Sequence, residues 1–229
     1  MFDFSKIEIK LIPNNEAKQF MEKYHYTHSC NLGVISYGFY YNEKLACVIV
    51  YSRPSGKNLA KSIWDGGNDY NTLELIRLFS FDWCPKNIES YCISQSIKRL
   101  KKDMPEVKVL VSYADSSAGH IGYIYQASNW IYIGTGSNEK KIFIDGKRQH
   151  RRSLYGKYGT SSIVKLKQLL GDRLQVSEER YVKYKYIYIV AQNKKEKKYI
   201  QNKLKVKPLP YPKGDVKYYT TEHNVFNVS

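Results

Sequence analysis

The sequence predicts an α/β (α+β) chain: a mixed central sheet flanked by helices, with a basic α/β extension at the C-terminal end. Three observations carry that expectation. Runs of strand length, apolar or alternating, recur between stretches with helical spacing. Clusters of Asn, Asp, Gly and Pro separate those runs. The basic excess is confined to one part of the chain, since residues 147–217 hold 20 Lys and Arg against 5 Asp and Glu, and the rest holds 17 against 16. With 229 residues, 42% hydrophobic and 25% charged, the chain can bury a core and has a globular rather than a disordered composition. No run approaches the ~18 apolar residues of a membrane span. The opening MFDFSKIEIK lacks the apolar stretch of a signal peptide. The expectation is a cytoplasmic protein with no membrane partner. Cys30, Cys47, Cys84 and Cys92 have no CxxC spacing, which points to reduced thiols rather than a disulfide framework or a zinc site.

Residues 6–12 (KIEIKLI) alternate like an edge strand, and Asn14 or Asn15 would cap a helix reaching about Tyr24. Residues 33–41 and 44–53 are apolar runs joined by Asn42-Glu43, a hairpin. Residues 54–70, with Pro, Gly and Asp, read as a long loop, and 72–81 (TLELIRLFSF) as a strand. Ile88, Cys92, Ile93, Ser96 and Leu100 give helical spacing to 86–102. VKVLVSYAD (107–115) is a buried strand, 119–128 a second helix and 130–133 another strand. A strand over 140–144 ends in Asp145-Gly146, a tight-turn signal. Beyond it come a helix at 161–170, a strand at 181–190, a helix at 194–204 and a Pro-rich tail.

Charge suggests a division into a core, 1–146, and a basic, Tyr-rich extension, 147–229. Lysine and arginine neutralise phosphates while interleaved tyrosines stack on bases. Arg148, Arg151, Arg152 and Lys157 are the candidate nucleic-acid contacts. A solvated lysine-rich face is the plainer account, but a general lysine bias would also have loaded residues 1–146.

The segment VSYADSSAGHIGYIYQASNW (111–130) concentrates the chemistry. A buried strand delivers Tyr113, Asp115, Ser116, Ser117 and His120 to a sheet edge, where α/β folds place ligands. Asp115 suits a general base or an amine-orienting carboxylate, and equally a helix N-cap. Arg77 lies inside an apolar strand, where an unpaired guanidinium is costly. It pairs with Asp115 or Asp82, or it serves a donor or phosphate. His25, His28 and Cys30 offer borderline or soft metal donors, while polar and aromatic packing explains the same loop.

The order of elements resembles the GNAT acyltransferase fold, which implies a sheet that splays open with the acyl donor in the gap. IGYIYQASNWIYIG (121–134) is similar to that family's A-x-x-L-Y-x-x-x-G-F element, with Tyr125 at the tyrosine and Asn129-Trp130 at the Gly-Phe. The resemblance implies that Tyr125 protonates the leaving group. The pyrophosphate loop departs from the pattern, since FDWCPKNIES (81–90) has no glycine and Pro85 removes an amide.

Together with LELIRL (73–78), the Y-A-D-S-S-x-G-H-x-G-x-I-Y-Q-A-x-N-W run resembles the phage Mom family of DNA adenine modification proteins over roughly residues 20–135. RSLYGKYGTSS (152–162) and the 180–213 segment are similar to phage-encoded relatives. The resemblance implies carbamoylmethylation of adenine N6 in double-stranded phage DNA, which blocks host restriction. It places Arg77, Tyr113, Asp115, Ser116, Tyr125, His25 and Tyr26 in an active site, with Ser117, His120 and Asn129 as further contacts, and brings in iron as a cofactor candidate. An acetyl group has no nitrogen and cannot complete a CH2–CO–NH2 product, whereas a glycyl group holds every atom. Glycyl-tRNA is therefore the favoured donor and aminoacyl-tRNA a partner, with acetyl-CoA the alternative. Trp64, Trp83 or Tyr26 would stack on the flipped adenine. Two other functions fit the residues: an N-acetyltransferase acting on a protein or small amine, and a noncatalytic nucleic-acid binder on the same scaffold.

Overall fold

The computed structural model describes residues 2–56, 58–136, 139–149 and 151–214. In chain order its elements are β1 (Ile7–Leu11), α1 (Asn14–Tyr24), β2 (Ile35–Tyr41), β3 (Lys44–Ser52), α2 (Leu59–Ile63), β4 (Thr72–Ser80), α3 (Ile88–Asp103), β5 (Val109–Asp115), α4 (Tyr123–Ala127), β6 (Ile131–Thr135), β7 (Glu139–Ile144), β8 (Lys147–Gln149), α5 (Arg151–Tyr158), α6 (Ile163–Leu170), β9 (Leu174–Tyr181), β10 (Lys183–Ile189) and α7 (Lys194–Asn202). Seven strands form a mixed sheet in the order β1-β2-β3-β4-β5-β10-β6, and three form a second sheet, β8-β7-β9. No helix among the described residues is long and apolar enough to cross a membrane.

The chain divides into two compact units. The first comprises Met1–Ala114, Ile121–Gly134 and Tyr184–Gly214; the second includes Asp115–His120 and Thr135–Lys183. The expected division at residue 146 is not the one that packing makes, because charge reports the surface rather than the interior.

In the first unit the hairpin forms as expected: Asn42 (φ 47°) and Glu43 (φ 65°) both adopt the left-handed conformation of a type I′ turn, whose twist suits the flanking strands. The sheet is covered on both faces. On one face Leu73, Leu75 and Leu110 pack with Ile93 and Leu100 of α3 and with Tyr125 and Trp130. On the other, Ala17 and Met21 of α1 cover Val48 and Val50. Ile63 of α2 and Ile200 of α7 cover Val109, Val111 and Ile187. Leu110 facing one way and Val109 and Val111 the other is the two-residue period of a strand buried on both sides.

The structure corrects several expectations. Pro13, not an asparagine, caps α1, as its fixed φ ends the extended segment. Asn14 instead donates to Val34 O (3.1 Å) and accepts from Ser36 Oγ (2.9 Å). The 54–70 loop contains α2. The helix expected from residue 119 shrinks to α4, because Gly119 (φ 75°) and Gly122 (φ 92°) break the helical path. Strand β9 and helix α5 were not foreseen, and β10 inserts between β5 and β6.

In the second unit the Asp145-Gly146 turn forms between β7 and β8, with both residues at positive φ (51° and 74°). Ile142, Ile144, Leu154, Leu166 and Leu174 make its own small core.

Candidate active site

Strands β4 and β5 run parallel but pair only at Thr72↔Val109, Leu73↔Leu110 and Glu74↔Val111. Beyond that point β4 stays bonded to β3, through Arg77↔Val50 to Ser80↔Cys47. The register skips Ile76, a bulge that bends β4 at the parting. On its other edge β5 keeps β10 as its neighbour.

Parting two strands leaves backbone groups without ladder partners, and a buried carbonyl left open is costly. Ser112, the first β5 residue past the last pair, answers this need: its Oγ lies 2.9 Å from Leu75 O and 2.8 Å from Tyr125 Oη. A serine has one proton. That proton serves the Leu75 carbonyl or the Tyr125 oxygen, both within reach of the Ser112 hydroxyl. Tyr125 is buried between Trp130 and Tyr186, with ring centroids 5.2 and 5.3 Å away. Burial pushes its pKa up to about 12, the Ser112 bond opposes this, and the Tyr26 and Glu74 fields add to it. The phenol therefore holds its proton at neutral pH, as a proton donor must.

On the opposite face of the sheet Tyr113 lies beside Lys185, whose ammonium stands 5.9 Å from the ring centroid. Burial first, and the Glu74 charge second, raise the Tyr113 pKa. Burial lowers that of Lys185, and Glu74 partly restores it. Glu74 itself accepts from the Ser55 amide and hydroxyl, both at 3.1 Å. Arg77 is held by carbonyls rather than by Asp115 or Asp82, its Nε donating to Ser29 O (2.7 Å) and its Nη1 to Ile76 O (2.6 Å). His25 is buried and takes the Thr27 amide at Nδ1 (3.2 Å), and Tyr26, 56% exposed, has its ring 4.4 Å from the imidazole. Asn129 takes φ 59°, which explains how asparagine stands where a glycine is expected.

A family model described as the Mom protein family matches residues 6–213. This chain belongs to the Mom protein family. It is similar to the methylcarbamoylase Mom of Escherichia phage Mu, with 29% identity over 202 residues covering 86% of this chain and 80% of that protein. Among solved structures it is similar to an N-acetyltransferase from Staphylococcus aureus Mu50 (13% identity, TM-score 0.43, 80% of this chain and 97% of that one). It is also similar to a GNAT family acetyltransferase from Streptococcus pneumoniae (9%, TM-score 0.44, 81% and 99%).

In this Mom family member Asp115, Ser116, Ser117, His120, Arg148 and Lys157 belong to the second unit. Asp115 Oδ1 accepts from the Ser117 amide (2.8 Å) and hydroxyl (2.5 Å), so it caps the 3-10 turn Ser116–Ala118. Arg148 donates to Ser117 Oγ (2.6 Å) and stands 4.0 Å from Asp115 Oδ2. Ser116 exchanges bonds with Val182, donating its amide to the carbonyl and accepting the Val182 amide at Oγ. Burial lowers the His120 pKa while Asp115 opposes the shift. Lys157 is exposed, with its ammonium 5.4 Å from the Tyr158 ring centroid. The Arg151 and Arg152 side chains lie outside the described residues.

Of the two accounts of the His25–Cys30 loop, the contacts favour packing over metal ligation. Among the described residues no three His, Cys, Asp or Glu side chains converge to hold a metal. His28 Nδ1 is bonded to Glu22 O (3.1 Å), and Cys30 donates to Asn31 O (3.1 Å) with burial pushing its thiol up, away from the thiolate a metal needs. Iron therefore finds no ligand set in His25, His28 and Cys30. Nor is Trp64 a stacking platform, since it is buried and donates its indole N–H to Thr72. Trp83 lies under the Lys44 ammonium, 4.4 Å from the ring centroid. Sequence reasoning missed Ser112, Glu74 and Lys185; a lone serine in the apolar run VLVSYA was the available signal for the first.

Proposed function

We propose that this protein transfers a glycyl-derived carbamoylmethyl group to adenine N6 in phage DNA. The observation that carries the reading is the parting of β4 and β5 with the Ser112–Tyr125 pair at its apex. Membership of the Mom family supports group transfer, as does likeness to a protein named methylcarbamoylase, whose name denotes an isomer of the carbamoylmethyl group.

The reaction begins with N6 attacking the carbonyl of a glycyl ester. The bond to the tRNA ribose oxygen breaks, and Tyr125 supplies the proton that oxygen needs. Tyr113 lies on the other face of β5, and Asp115 and Ser116 belong to the second unit, so the N6 proton passes to the tyrosinate left at Tyr125, which restores the phenol. The glycine amine then attacks C6 and the original N6–C6 bond breaks, leaving C6–NH–CH2–CO–NH2 with every atom of the isomeric amide retained. The target base leaves the duplex at a cost of about a few kcal/mol, and Tyr26, the exposed ring with a charge effect on Tyr125, is the proposed stacking partner.

The start of α3 favours this donor over coenzyme A. A helix N-terminus attracts anions, but here its first turn carries Glu89, which accepts from Ser80 Oγ (2.6 Å) and brings negative charge to the place a pyrophosphate would need.

Mass spectrometry of nucleosides from DNA of expressing cells should show adenine carrying a carbamoylmethyl group. With purified components, label from glycyl-tRNA should reach DNA. Transfer from acetyl-CoA in a tRNA-free system, or unmodified DNA in expressing cells, would overturn the proposal.

A further inference from the structure

Away from the strand parting, the first unit carries a groove of about 490 Å³ lined by Trp64, the 65–71 turn, Glu106, Lys108 and the Glu196–Ile200 turn of α7. Two of its lining residues are large rings left in solvent, Tyr70 at 68% and Tyr199 at 60% exposure. Exposed tyrosines that share one cavity are not there to fill the core. The Arg53 guanidinium backs Tyr70, 4.4 Å from its centroid. The 65–71 turn closes on itself through its asparagines: Asn68 Oδ1 takes the Tyr70 and Asn71 amides, and Asn71 donates to Gly66 O.

The charges around the groove are sorted. Its Glu196 is paired with Lys108 (2.6 Å) and its Asp65 with Lys203 (2.8 Å). Glu106 has no ion pair within 4 Å among the described residues. A phosphate is unwelcome among three carboxylates; a neutral heteroaromatic ring with amine hydrogens is not. Outside the groove α7 exposes Lys194, Lys195, Lys197 and Lys198, none in an ion pair among the described residues. Lys195 shares a helix face with Tyr199 at the i, i+4 spacing.

We infer that this groove seats an unpaired base of a nucleic-acid strand between Tyr70 and Tyr199, while the strand's phosphates follow the lysines of α7. Single-strand sites combine these two parts: rings for any base, cations for the backbone. This surface belongs to the first unit, whereas the expected contacts Arg148 and Lys157 belong to the second.

The test uses the full chain and a short single-stranded oligonucleotide carrying 5-iododeoxyuridine. Irradiation should leave an adduct on Tyr70 or Tyr199. Tyr70→Ala and Tyr199→Ala should each weaken binding of the unmodified oligonucleotide by about 5- to 100-fold, and the Tyr→Phe forms, which keep the ring, should bind like the parent. Lys195→Gln with Lys198→Gln should flatten the plot of log affinity against log salt by about 0.7 for each of these lysines that neutralises a phosphate. Adducts confined to other residues, full affinity in the alanine variants, equal loss in the phenylalanine variants, or an unchanged slope would each overturn the inference. Binding is read without any product, so its failure and a failure to modify adenine are separate results.

Discussion

The phenol oxygen of Tyr125 and the carbonyl of Leu75 are both met by one serine hydroxyl, and two substitutions separate the two jobs. Tyr125→Phe keeps the ring against Trp130 and Tyr186 but removes the acid. General acid catalysis contributes about 10²–10⁴-fold, so modification should fall by that order while stability drops by only about 1 kcal/mol, the worth of one hydrogen bond. Ser112→Ala should cost more stability, about 1–3 kcal/mol, because it leaves a buried carbonyl unmet where the strands separate. Chemical denaturation of both variants beside a nucleoside assay checks the pair. A Tyr125→Phe protein with full activity would remove this residue from the mechanism.

Among the elements, α4 is the one whose position decides whether Tyr125 reaches Ser112, and Gly122 sets it. Its φ of 92° is strained for any other residue, and an added Cβ would strike the Tyr186 ring. Gly122→Ala should therefore destabilise by roughly 2 kcal/mol or more, from the left-handed penalty and overpacking together, and lower activity by shifting the phenol. An unchanged melting temperature would argue against this placement. Elements whose pattern and turn chemistry agree were legible in the sequence: the 42–43 hairpin, β4, α3, β5 and α7 stand where periodicity put them. Those missed have mixed signals. Strand β9 (LQVSEERY) carries three charged residues in eight, and α5 (RRSLYGKY) holds a glycine that costs a helix about 1 kcal/mol. Tyr125 was legible because a dense motif marks it. Ser112, Glu74 and Lys185 were not, because their roles come from where β4 and β5 stop pairing, and pairing between distant strands leaves no local trace in sequence.

At the scale of the whole molecule, the basic segment read as one extension serves two bodies. Residues 147–183 belong to the second unit and 184–214 to the first. Of the basic residues there, 10 fall in the former stretch and 9 in the latter. Each protein cation that meets a duplex phosphate contributes about 0.9 to the salt slope. Neutralising Arg151 and Arg152 together should flatten the slope for double-stranded DNA by up to about 2; an unchanged slope would remove both from the interface.

Tyrosine burial makes a further demand on the molecule as a whole, at high pH. Tyr125 and Tyr186, both buried, hold pKa values pushed up to about 12 from the ordinary 10.0, chiefly by burial. Tyr37, Tyr51 and Tyr113 are raised further still, again with burial as the first cause. The unfolded chain ionises its phenols near pH 10, while the folded chain keeps these protons. The stabilisation is thus fully present below about pH 10 and is lost as the pH climbs through the folded values. For Tyr125 and Tyr186 the loss is on the order of 2 kcal/mol each. Lysines also discharge in this range, which relieves the repulsion of a chain at +16 and works in the opposite direction. The tyrosine effect should dominate, because the lysines are mostly in solvent and the phenols are not. Denaturant midpoints measured from about pH 8 to 12 should hold to about pH 10 and then fall, with tyrosinate absorbance rising as unfolding proceeds. Tyr125→Phe should fall less steeply than the parent. A midpoint that stays level beyond about pH 11 would mean that water reaches these phenols, and that Tyr125, the proposed proton donor, is not held in a dry site.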